Sequence, residues 1–381
     1  MKKHLLPILT LTTLAAAPAL RAQPAAEPTE RFSLSYRMAF NLGVKFKNVG
    51  GFAAQTAPGP ATGGLAGRYY DDGYNLVDNN NNSYGDLQAT RNWGYESASQ
   101  VENNQFIVLH SSSSAALATT PSRDSEPYHG FEFAYQHEFA RNESWRWGVE
   151  GAFNYLPVCV TDRASLTAPV SRINDAFEVP ADESGFRYIP TAPYSGSNAG
   201  GPLLGSAPTR TTTILPGGAS IVGSRNFEAD VFGFKLGAYL DLPLDEKWRV
   251  TLSGGLALVG VDSQFSYSDA VTIPGVGTQN HLGAGSHDDL LVGGYVTGNI
   301  AYALDPEWDL FANVQWQDVG KYTHRLSGPA AVLDLSSTIF VSLGATWSFE
   351  AKTHSARIQI NVHNGIKQGT HEKSHQTVGG G

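Results

Sequence analysis

Few residues of this chain have the types and spacing that a catalytic or metal-binding site requires. The oxygen-rich segment Asp78–Asp86 comes closest to a metal site. Carboxylate and amide oxygens are the ligands that Ca²⁺ prefers. An EF-hand loop would need Gly where Ser83 stands and Glu where Ala89 stands. Asn is also common in turns because it tolerates a left-handed backbone. We therefore expect a solvated turn and no metal here, and we interpret Asp71 and Asp72 in the same way.

Nucleophiles and bases show no catalytic arrangement. The histidines near the C-terminus follow no ligand spacing, and they are His354, His363, His371 and His375. The Gly-rich pairs, such as Gly217-Gly218, are not followed by the Gly-Lys-Ser/Thr sequence of a phosphate-binding loop. We find no Ser, His and acid set with a usable spacing. We therefore predict that the chain is not an enzyme and has no cofactor.

Ten charged residues share a different spacing, because each alternates along the chain with large apolar residues. They are Arg37, Lys45, Glu132, Glu138, Arg146, Glu150, Lys235, Asp241, Arg249 and Asp309. Basic and acidic side chains are present in similar number. A charge that is removed from water persists only when it is paired. We therefore expect a polar network of salt bridges and hydrogen bonds that fills the interior of the protein.

The elements that must position these charges are eight stretches with a period of two. In Phe32–Lys47, which has sixteen residues, every even position carries a large apolar residue. Such alternation indicates β-strands, and crossing a membrane takes about 9–11 residues. A soluble β-sandwich is the alternative, but its strands are seldom this long. The other seven strands are Tyr128–Phe139, Trp145–Pro157, Asp230–Leu242, Trp248–Asp262, Asp288–Leu304, Trp308–Val319 and Leu335–Phe349.

The connections between these strands alternate in length. The short ones each end just before a tryptophan, and they are Ala140–Ser144, Pro243–Lys247 and Asp305–Glu307. The long ones are Asn48–Pro127, Val158–Ala229, Ser263–His287 and Gly320–Asp334. Short periplasmic turns and long extracellular loops are typical of outer-membrane barrels, in which aromatic residues gather at the membrane interfaces. The predicted aromatic girdle consists of Trp145, Trp248, Trp308, Trp347 and Phe349.

The ends and the composition agree with an exported protein. Basic residues, an apolar run and small residues predict a signal peptide over residues 1–22. The barrel domain is expected over 32–349, and the polar tail 350–381 is expected to be disordered. The single cysteine, Cys159, forms no internal disulfide. The formal net charge of −9 argues against nucleic acid as a partner.

The leader, the eight amphipathic strands, the three tight turns and the terminal Thr346–Phe349 resemble the small Gram-negative outer-membrane β-barrel families. Among these are the transmembrane domain of outer membrane protein A and outer membrane proteins X and W. The resemblance implies a closed antiparallel transmembrane barrel in the cell outer membrane, surrounded by its lipid. The terminal aromatic resembles the signal that the barrel-assembly machinery reads. The chain differs from these families in its long first two loops and in the 32 residues after Phe349.

These observations predict an all-β closed barrel of eight strands, or of ten if the first loop adds a hairpin. The expected function is structural or surface interaction through the long loops, where an extracellular ligand would bind. The alternatives are a narrow porin for small solutes and a lipid-modifying enzyme with its site at the rim. Aromatic residues of the first loop form either a binding face or a cap over the barrel mouth, and they are Tyr69, Tyr70, Tyr74, Trp93 and Tyr95. Gln105–His110 is expected to extend the sheet above the membrane.

Overall fold

The computed structural model describes residues 29–62, 66–77, 88–124, 127–197 and 200–350, without the side chains of Thr29 and Glu350. The predicted signal peptide, the Asn-rich segment Asp78–Asp86 and the tail beyond Glu350 lie outside these residues. Within the described ranges, no helix is both long enough and apolar enough to span a membrane. A short 3-10 helix covers Ala98–Gln100.

The described residues form twenty strands, numbered here in chain order. They are β1 (Thr29–Phe40), β2 (Gly43–Lys47), β3 (Arg68–Tyr70), β4 (Gly73–Asn75), β5 (Ala89–Thr90), β6 (Trp93–Tyr95), β7 (Val101–Glu102), β8 (Phe106–Ser113), β9 (Tyr128–Arg141), β10 (Arg146–Asp162), β11 (Leu166–Glu178), β12 (Tyr194–Ser195), β13 (Leu204–Gly205), β14 (Thr209–Pro243), β15 (Trp248–Ile273), β16 (Gly277–Ala303), β17 (Trp308–Asp318), β18 (Lys321–Arg325), β19 (Ala330–Asp334) and β20 (Thr338–Glu350).

Eight of these strands form a ring. Around it the order is β1, β9, β10, β14, β15, β16, β17 and β20, and β20 is hydrogen-bonded to β1. Each of the eight stretches predicted from alternation contributes one strand to this ring. A sheet that returns to its first strand pairs the backbone groups of every member on both sides, which an apolar surrounding requires.

The three short turns share one local structure. In each, the side-chain oxygen of the first polar residue accepts hydrogen bonds from the backbone N–H groups two and three residues later, at 2.7–2.9 Å. The accepting residues are Asn142, Asp245 and Asp305. Short polar side chains stabilise tight turns in this way, and each turn delivers a tryptophan to the start of the next strand.

The first predicted strand is wrong as one continuous element, because it breaks at Asn41. This residue has a left-handed backbone (φ 59°), and β2 beyond it pairs with β19 instead of continuing β1 in the ring. Leu34 is 61% exposed on the outside of the ring, whereas Val44 and Phe46 are fully buried. Alternation reports an apolar neighbour on one side of a strand, but it does not distinguish lipid from a protein core.

Three of the four predicted long loops are also wrong as loops, because most residues of Val158–Ala229, Ser263–His287 and Gly320–Asp334 form sheet, whereas Asn48–Pro127 contains β8 and five very short strands. β14 has 35 residues, β15 has 26 and β16 has 27, so these strands continue far beyond their predicted ends. We call the part of these strands beyond their predicted ends, with the small sheets packed on it, the extension. Here the polarity of the two faces is reversed: the inward residues Phe265 and Val271 are apolar and buried, whereas the outward residues Gln264 and Ser268 are polar and exposed. Polar outward positions made this segment resemble a loop in the sequence.

Apolar cores hold the extension together, and one of them is continuous with the interior of the ring. The small sheet β18–β19–β2 packs on the long strands, and the Phe46 and Phe265 rings stack at 5.5 Å. A second core surrounds Trp93, which lies in β6 with no exposed surface. Tyr70 and Tyr95 are buried in the same core. Of the predicted segment Gln105–His110, all residues but Gln105 lie in β8, which pairs with β11 and joins the large sheet as predicted.

Candidate functional site

The outer surface of the ring is an apolar band. Along β15 the outward positions Trp248, Leu252, Leu256 and Leu258 are exposed, and the neighbouring strands show the same pattern. With about 3.3 Å per residue and a tilt of about 40°, Trp248 and Leu258 lie about 25 Å apart along the ring axis. This is about the height of the hydrophobic band of outer-membrane barrels.

Aromatic residues border the band at the end that carries the short turns. Trp145, Trp248, Trp308 and Trp347 are each 36–45% exposed, and Trp308 lies opposite Trp347 in the strand register. Phe349 is partly exposed; its ring stacks on Phe32 at a centroid distance of 5.6 Å and packs against Trp347 in a tilted arrangement at 4.9 Å. The predicted girdle residues therefore lie together on the outside of the ring.

Exposed acidic side chains border the opposite end of the band. Asp230, Asp262 and Asp288 lie side by side in the register of β14, β15 and β16, and all three are exposed. Glu228 follows on the same face of β14. Carboxylates of this kind belong in water, so they mark where the apolar surface ends and the extension begins.

The interior of the ring near the turns holds a first layer of ion pairs. Arg31 Nη2 lies 2.5 Å from Asp241 Oδ2, and both side chains are at most 2% exposed. Arg249 Nη2 lies 2.7 Å from Asp309 Oδ2. Arg31 was missed from the sequence because the predicted strand began one residue later, at Phe32.

A second layer of charges lies further from the turns and centres on Glu132. Its carboxylate accepts hydrogen bonds from the guanidinium of Arg37 and from Lys235, whose Nζ is 2.9 Å away. Lys235 also donates to Gln315 Oε1 at 2.7 Å. The Arg37 guanidinium lies 3.6 Å above the ring of Phe340. One carboxylate is thus the ion-pair partner of two buried cations.

The remaining predicted charges occupy the same interior, with one exception. Glu150 accepts from Gln136 at 2.7 Å, buried Glu138 pairs with an arginine of its own strand, and half-buried Arg146 lies opposite Asp241. Lys45 is exposed on β2, outside the ring, so the prediction that it faces the interior is wrong. The break at Asn41 removes Lys45 from the ring strand to which it was assigned.

Apolar side chains fill the interior beyond the two charged layers. None of these residues is more than 6% exposed, and they belong to one core that also includes the β2 and β19 side chains. They are Ala39, Leu156, Val158, Val160, Ala229, Val231, Val259 and Val261. A polar interior was expected throughout. The signal was present in the sequence, because these positions alternate with outward residues in the same strands.

One buried polar cluster in the extension was not found from the sequence. The Ser263 hydroxyl lies 2.8 Å from His324 Nδ1 and 2.7 Å from the Tyr322 hydroxyl, and Tyr322 donates to the His287 carbonyl at 2.7 Å. A Ser–His pair is a nucleophile–base geometry. Here both side chains are 1% exposed, so no substrate reaches them. The cluster joins β15 to the β18–β19–β2 sheet.

The same cluster predicts a pH dependence. Burial lowers the pKa of His324 below its ordinary value of 6.5, and the neighbouring His287 lowers it further by a smaller amount. The native state therefore binds fewer protons than the unfolded state as pH falls below about 6.5, and stability declines with falling pH in that window. We expect amide exchange in β18 to be faster at pH 5.5 than at pH 7.5, after correction for intrinsic exchange rates.

The matched control is His324→Gln, which keeps a polar partner for Ser263 but does not titrate. Its corrected exchange rates in β18 should change much less between the two pH values. Equal pH dependence in both proteins would show that another group is responsible.

Comparison with known proteins finds no matching family model and no matching curated protein. Several solved structures are similar. The attachment invasion locus protein of Yersinia pestis, solved with sucrose octasulfate, is 11% identical with a TM-score of 0.28, over 85% of this chain and 100% of that one. The outer membrane protease OmpT of Escherichia coli is 10% identical with a TM-score of 0.28, over 87% and 99%.

A Pseudomonas aeruginosa FadL homologue is 9% identical with a TM-score of 0.18, over 85% of this chain and 90% of its own. Similarity at this level does not bear on function, and we assign the fold from the pairing of the eight ring strands. The attachment protein and OmpT are Gram-negative outer-membrane β-barrel proteins. A closed ring of eight strands, an apolar outer band and a paired polar interior are the architecture of that class, and they identify this chain as a protein of the cell outer membrane.

Proposed function

We propose that the chain is a sealed transmembrane barrel that presents a β-sheet extension outside the cell, where it serves surface interaction. The observation that carries this proposal is the filled interior. Two charged layers and one apolar layer occupy the ring from the turns to the extension. Interiors of eight-stranded barrels are narrow enough for side chains to fill.

The alternatives have less support. A porin needs a continuous water-filled path, whereas the apolar layer lies across the axis of the ring. A lipid-modifying enzyme needs a reactive group at the rim, whereas the Ser263–His324 pair is buried in a core. Mass spectrometry of lipid A from cells with and without the protein tests the enzyme, and a mass change that depends on the protein would support it.

The extension has the properties of an interaction surface. The two long connections fold together, because β8 pairs with β11 and β6 pairs with β12. Aromatic residues remain on the outside of this body: Tyr69, Phe186 and Tyr188 are each more than half exposed. Tyrosine is enriched at binding surfaces because it combines a large apolar ring with a hydroxyl group.

Two further partners follow from the outer surface. Outer-membrane lipid would contact the apolar band, with the tryptophans of the girdle at the inner interface. Trp347 and Phe349 remain the segment that we propose for recognition by the barrel-assembly machinery.

The proposed sidedness can be tested by cysteine labelling of intact cells. In a Cys159→Ser background, Tyr188→Cys places a thiol in the extension and Glu246→Cys places one in a short turn. With a membrane-impermeant maleimide we expect Tyr188→Cys to label at least tenfold more than Glu246→Cys. Lysed cells should label both variants equally. Preferential labelling of Glu246→Cys in intact cells would reverse the orientation.

A further inference from the structure

A cavity lies on the outer face of the sheet that β14, β11 and β8 form in the extension. Asn174 lies opposite Thr211 on one side and opposite His110 on the other, so these side chains share one face. Three further residues of this face line the cavity with them, namely Thr209, Thr213 and Phe106. The cavity has a volume of about 540 Å³, and sites for small molecules range from about 300 to 1,000 Å³.

The polar groups of this face are held in place through their other atoms. His110 Nδ1 donates to Asp72 Oδ2 at 2.5 Å, and the His110 backbone N–H donates to Asp72 Oδ1 at 2.8 Å. Asn174 Nδ2 donates to Thr213 Oγ1 at 2.9 Å. These bonds fix the imidazole and the amide, and they leave His110 Nε2 and Asn174 Oδ1 to a ligand. Groups that are fixed before binding lose little conformational entropy when the ligand binds.

The cavity also has an apolar part. Phe106 is partly exposed, and Val108 and Ala176 lie opposite each other between it and the polar groups. The face of an aromatic ring carries partial negative charge, so it attracts weakly positive C–H groups. One face of the sheet therefore offers hydroxyl, amide and imidazole groups together with an aromatic ring.

Charge and polarity argue against several other kinds of ligand. Among the described residues that line the cavity none is Lys or Arg, and Glu102 is an exposed carboxylate. Arg172 shares this face of β11 but does not line the cavity. A phosphate or sulfate group would therefore meet a carboxylate and no cation, which is unfavourable. A lipid chain would cover the hydroxyl and amide groups without giving them hydrogen-bond partners.

We propose that this cavity binds an uncharged sugar residue of a polysaccharide outside the cell. The proposal rests on the proposed function, because it names a ligand class for the extension. A sugar ring carries hydroxyl groups, which both donate and accept, and a patch of C–H groups. Thr211 and Asn174 supply donors and acceptors, and His110 Nε2 accepts a hydroxyl proton. The C–H patch packs on Phe106.

The position of the cavity suits such a ligand. Thr209 is the first residue of β14, and the part of β14 that belongs to the ring lies at the other end of this strand. In the orientation that we propose, the cavity is therefore on the side of the extension away from the membrane. The sugar belongs either to the lipopolysaccharide of the same cell or to a foreign surface.

The first experiment uses the purified full-length protein in lauryldimethylamine oxide, a detergent without a sugar head group. Immobilised neutral oligosaccharides of glucose, galactose and mannose form one arm. The dephosphorylated polysaccharide of lipopolysaccharide from the producing cells forms the second arm, and sulfated and sialylated oligosaccharides form the third. We expect binding in the first or second arm, which identifies the source, and none in the third. Absence of binding in the first two arms, or binding in the third alone, would overturn the proposal.

A covalent block then locates the site. In a Cys159→Ser background, Thr211→Cys places a thiol in the cavity, and Asn280→Cys places one on the exposed face of β16, outside it. A bulky maleimide on Thr211→Cys should weaken binding of the sugar found in the first experiment by about tenfold or more. The same label on Asn280→Cys should leave binding unchanged. Each protein is compared with itself before labelling, so effects of the substitution on folding cancel. Binding that survives the label on Thr211→Cys would place the ligand elsewhere.

Single substitutions test the polar and the apolar part of the cavity. Asn174→Ala removes the amide and Phe106→Ala removes the ring, and each should weaken binding about tenfold. The matched control is Asn280→Ala, which removes an exposed amide outside the cavity and should leave the affinity unchanged. Each variant is first checked for the heat-resistant gel mobility of the folded protein. Unchanged affinity in folded Asn174→Ala and Phe106→Ala would show that these groups do not hold the sugar.

Failure of this proposal is distinguishable from failure of the proposed function. A protein that binds no neutral sugar can still label at Tyr188→Cys in intact cells, and the sidedness of the extension then stands. Preferential labelling of Glu246→Cys would reject the proposed orientation even if the purified protein binds the sugar.

Discussion

Replacing Glu132 with Ala is expected to lower the free energy of unfolding by about 3–5 kcal/mol. The Glu132 carboxylate is the partner of both Arg37 and Lys235, and all three side chains are buried. Removing it leaves two cations inside the ring without their carboxylate, and burying an unpaired charge is among the largest single costs in a folded protein. Unfolding by urea in detergent micelles, followed by tryptophan fluorescence, measures the change.

Two controls give this result its meaning. Glu228→Ala removes an exposed carboxylate on the outer face of β14 and should change the stability by less than about 0.5 kcal/mol. Glu132→Gln keeps an acceptor for hydrogen bonds and should lose less than Glu132→Ala. Arg37→Ala should also be strongly destabilising. An unchanged unfolding curve for Glu132→Ala would show that these charges are not paired inside the ring.

Purified protein in a planar lipid bilayer is expected to give no stable conductance steps. Val158, Val231 and Val259 belong to the apolar layer and are at most 4% exposed, and Arg37 and Glu132 close the ring below them. An ion would have to cross both layers without water, which costs far more than thermal energy. We expect current at least tenfold below that of a water-filled porin in the same bilayer.

The porin serves as the positive control for insertion, and recovery of the protein from the bilayer lipid shows that it is present. Heat-unfolded protein and detergent alone serve as blanks. Reproducible steps that appear only with folded protein would contradict the sealed interior and would favour the narrow-porin alternative.

The ring strands were readable from the sequence because each has a lipid-like surrounding on one side and polar groups on the other. The turns were readable because Asn142, Asp245 and Asp305 each stand three residues before a tryptophan that lies at the start of a strand or directly before it. The pairing of charges was expected in general terms. The particular partners could not be foreseen, since Glu132 meets Lys235 from a strand more than one hundred residues later.

The prediction from the sequence failed where the apolar face of a strand points into the protein core and no longer outward. Phe46 and Leu34 have the same parity, yet Leu34 faces outward and Phe46, on the strand beside β19, lies in the core. Lys45 was assigned to the interior for the same reason. A local pattern contains no information about what lies beside it, so the level at which the apolar outer surface gives way to a protein core had to come from the structure.

By itself the sequence determined that the chain is all-β, that eight of its strands have one apolar face, and that the short turns alternate with long connections. These properties are local, because a period of two and a turn depend on neighbouring residues alone. The tertiary structure decided that the long connections are a sheet extension, that apolar side chains fill the interior beyond its charges, and that β8, β11 and β14 bring His110, Asn174 and Thr211 to one face. Each of these depends on which distant strands meet, and the free energy of that choice belongs to the packed ring and its extension as a whole.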